Sequence, residues 1–168
     1  MARPHDIRPV VTPRGAPVEG EVTLTVTGLE PGVGVRIGFG SFRQNQGGFA
    51  RSQAGPDGTL VQKVQVPSWA EVDRVHFFYV TADNQPRAFT GPFHVTDAEG
   101  TVRVAGRIST VREARCVELT GPENSLYELQ GELGIRNPGD AVQIVGTIAA
   151  ESVCGSEGVP VVVREVLP

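Results

Sequence analysis

The stretch Glu21-Val22-Thr23-Leu24-Thr25-Val26-Thr27 decides the fold class. In an extended chain Val22, Leu24 and Val26 fall on one side and the threonines on the other. A period of two with β-branched residues on both faces reads as a strand with one face in a core. The pattern recurs outward from there. Val33, Val35, Ile37 and Phe39 share a face of 33–39, and Leu60, Gln62, Val64 and Val66 share a face of 60–66. Val75-His76-Phe77-Phe78-Tyr79-Val80-Thr81 is the most apolar strand. Shorter strands are expected at 7–11, 49–52 and 87–95, and five more at 102–108, 116–120, 126–129, 141–148 and 159–166. Helical period never persists beyond a turn or two, and only 67–73 offers a single helical turn. The chain therefore reads as all-β.

Composition supports many short strands joined by tight turns. Gly 21 and Pro 13 make up about a fifth of the 168 residues and are spaced as punctuation rather than clustered. Gly28-Leu29-Glu30-Pro31-Gly32, Gly55-Pro56-Asp57-Gly58 and Asn137-Pro138-Gly139-Asp140 carry turn chemistry. The polar segment Asp97-Ala98-Glu99-Gly100 is read as a boundary between a first domain over 12–97 and a second over 100–168, each expected to fold by itself. Net charge is -4 and neither half is basic, which disfavours a nucleic-acid partner. No apolar run is long enough for a transmembrane helix.

The first half resembles bacterial immunoglobulin-like domains of the IPT/TIG type. The resemblance rests on Thr12-Pro13-Arg14-Gly15-Ala16-Pro17-Val18-Glu19-Gly20, the alternating Val22 to Val26, Gly28-Leu29-Glu30-Pro31-Gly32, and Val35-Arg36-Ile37-Gly38-Phe39-Gly40. Asp57-Gly58-Thr59-Leu60, Val64-Gln65-Val66-Pro67 and Pro92-Phe93-His94-Val95 complete it. It implies an immunoglobulin-like β-sandwich and no shared catalytic residue. The second half is similar to small exported β-barrels of OB-like type. Here the matching stretches are Val104-Ala105-Gly106-Arg107-Ile108, Cys116-Val117-Glu118-Leu119, Ser125-Leu126-Tyr127-Glu128-Leu129, Gly139-Asp140-Ala141-Val142-Gln143-Ile144-Val145-Gly146-Thr147, Ser152-Val153-Cys154 and Val161-Val162-Val163-Arg164-Glu165-Val166. A five-stranded barrel is implied, without an activity.

Little in the chain carries chemistry. Cys116 and Cys154 are its two cysteines and lie together in the second half, without metal-type or Cys-x-x-Cys spacing. A structural disulfide is expected, worth roughly 4 kcal/mol in the chain-entropy model. It places the protein in an oxidising compartment: periplasmic, cell-surface or secreted. The start Met1-Ala2-Arg3-Pro4 has no apolar signal region, so a natural leader is expected to have been removed. There is no nucleophile elbow, His-Glu-x-x-His or phosphate loop, so no catalytic residue, metal or cofactor is assigned. A zinc site from His76 and His94 with Asp83 or Asp97 is conceivable, but exposed sheet positions are the expectation for both rings. Trp69 is expected to plug the space between the sheets.

The candidate contact surface is the polar connector 40–48, through Phe42, Arg43, Gln44 and Asn45, because aromatic and arginine side chains dominate contact energetics. Arg87-Ala88-Phe89 is a second candidate, and Tyr127 at the rim of the barrel a third. The function expected is non-enzymatic binding or spacing at the cell envelope, with a protein or glycan partner. The alternative is a hydrolase acting on glycan or peptide, with its site between the domains.

Overall fold

The computed structural model describes residues 7–41, 48–113, 116–131, 133, 134 and 136–167. The fold is all-β. Its first part stacks two sheets. Strands β1 (Arg8–Thr12), β3 (Glu21–Thr27) and β6 (Leu60–Gln65) form a three-stranded sheet in the order β1-β3-β6. The facing sheet runs β2-β9-β7-β4-β5, from β2 (Gly15–Pro17), β9 (Phe93–Thr96), β7 (Val75–Ala82), β4 (Gly34–Gly40) and β5 (Gly48–Gln53), with β8 (Ala88–Phe89) paired to β7.

The inner faces follow the period of two. Val22, Leu24 and Val26 from one sheet meet Val35, Ile37, Phe39, Phe78 and Val80 from the other in a single apolar cluster. At its centre Phe78 lies 4.6 Å from Phe39 and 5.2 Å from Phe93, centroid to centroid, in tilted and edge-on contacts. Truncating a buried Phe of this kind costs about 3–5 kcal/mol.

Several sequence expectations shift. The segment 15–17 reads as a turn, yet it pairs parallel with β9, Gly15 opposite His94. Gly15 is required there, because a side chain would run into Ile148 and the His94 carbonyl. The segment 67–73 forms turns, not a helical turn. It carries Trp69 to the end of the sandwich, where the ring is 39% exposed and meets Phe39 edge-on at 5.6 Å. The three phenylalanines and His76 already fill the space between the sheets, so no plug is needed.

The second part is a closed five-stranded barrel, OB-like as expected. Strands β10 (Thr101–Glu113), β11 (Cys116–Thr120), β12 (Leu126–Gln130), β13 (Ala141–Ile148) and β14 (Val159–Leu167) run in the order β10-β11-β12-β14-β13. Every pairing is antiparallel except β12 with β14. The long β10 serves two neighbours. Its first half pairs with β13 and its second half with β11, and register shifts after Ile108 and Val111 let it curl between them. A separate apolar cluster fills the barrel, with Leu119, Leu129, Ile144, Val159 and Val161 fully enclosed.

Cys116 and Cys154 are bonded, with Cα atoms 5.7 Å apart across a sequence separation of 38. A buried carboxylate holds the Cys154 side of this staple. Glu128 accepts hydrogen bonds from Ser152 Oγ (2.6 Å), Gln130 Nε2 (2.7 Å) and the backbone amides of Val153 and Cys154 (3.1 Å each). Burial pushes its carboxyl up, but these bonds outweigh burial and hold it below the usual carboxylate range. A depressed carboxylate stabilises the fold above its unfolded-state pKa, and that contribution is lost as pH falls through the folded value.

Glu128→Gln should therefore lower stability at neutral pH by about 1–3 kcal/mol, because an amide leaves inward-facing donors unpaired. The gap from the parent protein should shrink as pH falls below about 4. Denaturant melts at pH 7 and pH 3 check both. An equal gap at the two values would remove the carboxylate from this role.

Candidate functional site: a cleft on the outer sheet face

The inward residues of β4 leave Arg36 and Gly38 on the opposite, outward face. Register then sets their neighbours. Arg36 stands opposite Arg51 of β5 on one side and Thr81 of β7 on the other, a row of three across the sheet. In the next row Gly38 stands opposite Tyr79, and Tyr79 opposite Phe89. Only glycine allows this second row, because a Cβ at position 38 would collide with the Tyr79 ring lying across it. The Arg87 guanidinium sits 4.6 Å from the Tyr79 ring centroid, and the Phe89 ring packs at 5.7 Å while staying 56% exposed.

A concave cleft of about 590 Å³ results, within the size range of ligand pockets. Arg36, Arg51, Thr81, Asn84, Gln85 and Arg87 line it, and Asp83 is its one acidic residue among those described. Arg36 and Arg51 are both exposed, and among the described residues neither has an ion-pair partner. Like charges directly opposite one another on a sheet are destabilising. Gln85 holds its side-chain oxygen buried with no hydrogen-bond partner.

The two parts of the chain meet at a polar junction. His94 Nε2 lies 3.2 Å from Asp73 Oδ1, and His94 Nδ1 lies 2.8 Å from the Tyr127 hydroxyl. A carboxylate only accepts, so in the neutral ring Nε2–H donates to Asp73 and Nδ1 accepts from Tyr127. Asp73 Oδ1 also accepts from the Arg103 backbone amide at 3.2 Å. Arg74 pairs with Glu123 at 2.8 Å, and Arg14 donates to the carbonyls of Pro92 and Glu157. Burial pushes the Tyr127 hydroxyl pKa up and the His76 pKa down.

These positions bear on the sequence readings. Phe42, Arg43, Gln44 and Asn45 lie outside the described residues. Tyr127 is not exposed at the barrel rim: it is 1% exposed, and its hydroxyl bridges to His94 where the two parts meet. His76 and His94 are buried, not exposed sheet residues: His76 shares the inward face of β7 with Phe78 and Val80, and the barrel's Tyr127 covers His94. His76 stacks on Phe39 at 4.9 Å and accepts from the Glu71 amide. Among the described residues no group of three His, Cys, Asp or Glu side chains is placed to hold a metal. Arg87 lines the cleft, and both it and Phe89 pack on the Tyr79 ring. Arg36, Arg51 and Gln85 were missed. The available signal was an arginine in the polar phase of each of two neighbouring strands, but register is needed to place the pair.

No family model matches the chain and no curated protein is similar to it. Among solved structures, macromomycin aligns at 19% identity with a TM-score of 0.43, covering 54% of this chain and 99% of macromomycin.

The junction makes a sharp prediction. Tyr127→Phe leaves His94 Nδ1 buried without its partner and should cost about 1–3 kcal/mol. In a double-mutant cycle with His94→Ala, the two changes should show a coupling of at least about 0.5 kcal/mol. Strictly additive urea melts would mean that the pair does not join the two parts energetically.

Proposed function

We propose that the chain is a non-enzymatic, exported binding protein of the bacterial cell envelope. An immunoglobulin-like sandwich of IPT/TIG type would carry the contact surface, and the barrel would act as a stapled support. The reading rests chiefly on the cleft, which gathers three guanidinium groups against one carboxylate on a rigid sheet face. Rigid strands that display side chains without ordering cost are suited to binding. Export is supported by the disulfide, which persists in oxidising compartments. No helix among the described residues is long and apolar enough to cross a membrane. The partner class is a protein or a glycan.

The test compares capture from a cell-envelope extract by the parent protein and by an Arg87→Ala, Phe89→Ala variant. The variant should stay folded and lose only about 1–2 kcal/mol, from the Arg87 and Phe89 contacts with Tyr79. The partner should be lost from the variant, yet retained by Val61→Ala, which alters the exposed outer face of the other sheet. Equal capture by all three proteins would exclude the cleft.

A second reading, a hydrolase acting on glycan or peptide between the two parts, draws on one observation. A cleft of about 290 Å³ at the junction is lined by Asp73, Arg74, Glu123, Ser125 and Tyr127. Its acids are already engaged, Asp73 with His94 and the Arg103 amide, Glu123 with Arg74. Glycan or peptide turnover abolished by Asp73→Asn would install this reading in place of the first.

A further inference from the structure

We infer that the facing pair Arg36 and Arg51 is an anion subsite, and that the cleft takes an acidic saccharide, a sugar ring bearing a carboxylate or sulfate group. This rests on the cleft being the binding surface and goes further by naming the ligand's chemistry.

Two observations carry it. First, Arg36 and Arg51 are directly opposed in register, exposed, and without an ion-pair partner among the described residues. An anionic group held between two guanidinium forks relieves their repulsion and accepts paired hydrogen bonds from either. Second, Phe89 stands exposed beside Tyr79, which lines the cleft, and offers an apolar wall for the C–H face of a sugar ring. A run of acidic side chains would use the first feature and leave the second idle.

The arginine pair should also carry a stability cost in the unliganded protein, since opposed cations destabilise a sheet. Removing it should raise the melting temperature slightly while weakening binding. A binding loss caused by misfolding would lower it.

The experiment titrates the intact protein with polygalacturonate, dextran sulfate, uncharged dextran and poly-L-glutamate by calorimetry at low salt. It is repeated with Arg36→Gln, Arg51→Gln. At least one acidic polysaccharide should bind, and which one distinguishes carboxylate from sulfate. Uncharged dextran should not bind. The double variant should lose at least tenfold in affinity and melt no lower than the parent. Binding of poly-L-glutamate as tight as the best polysaccharide would overturn the saccharide assignment. An unchanged affinity in the double variant, or no binding of either acidic polysaccharide, would overturn the subsite. If capture from envelope extract still depends on Arg87 and Phe89 in that case, this inference alone fails. If it does not, the cleft reading fails as well.

Discussion

The period of two along β4 constrains everything else in the sandwich. The same seven residues must supply the core and the cleft. Val35, Ile37 and Phe39 turn inward and are nearly or fully enclosed, so Arg36 and Gly38 are turned outward. A slip of one residue would exchange the faces, placing a guanidinium among phenylalanines and Ile37 in water. Burial of side chains worth about 1.5–3 kcal/mol each therefore fixes the register. The register in turn holds Arg36 against Arg51, a repulsion too small to move the strand. The core enforces an unfavourable surface arrangement, and such arrangements gather at functional sites because nothing in folding rewards them.

Much of this architecture was legible in the residues. The range read for the alternating strand 21–27 matches β3, and four strands of the barrel fall within about one residue of their expected places, while β10 runs on to Glu113. Alternation and turn residues are local signals, and strands with one buried face display them fully. What was lost required partners. Gly15–Pro17 carries the glycine and proline of a turn, and only the approach of β9 makes it a strand. Tyr127 has the composition of a binding residue, and its burial depends on His94, distant in sequence and on the other part of the chain. Arg36 and Arg51 were ordinary polar-face residues until register placed them opposite one another.

The barrel and the sandwich are joined by more than their short connection. Asp73, His94 and Tyr127 form a hydrogen-bonded chain from one core region to the other, and Arg14 and Arg74 add contacts on either side. Val75 of the sandwich packs against the barrel's apolar cluster. Within the barrel, the buried carboxylate of Glu128 and the Cys116–Cys154 bond fasten the loop that follows β13. On the sandwich side the junction contacts lie at β7, β9 and the segments before them, and leave Arg36 of β4 and Arg51 of β5 exposed.

Backbone amide mapping by NMR during titration with an oligomer of the acidic saccharide, uronate or sulfated, that binds in calorimetry tests the central claim most directly. The account predicts that shifts concentrate at Arg36, Arg51, Thr81, Asn84 and Gln85, with the barrel and the β1-β3-β6 sheet unperturbed. Shifts centred on the barrel, or on the junction around Asp73 and Glu123, would contradict it.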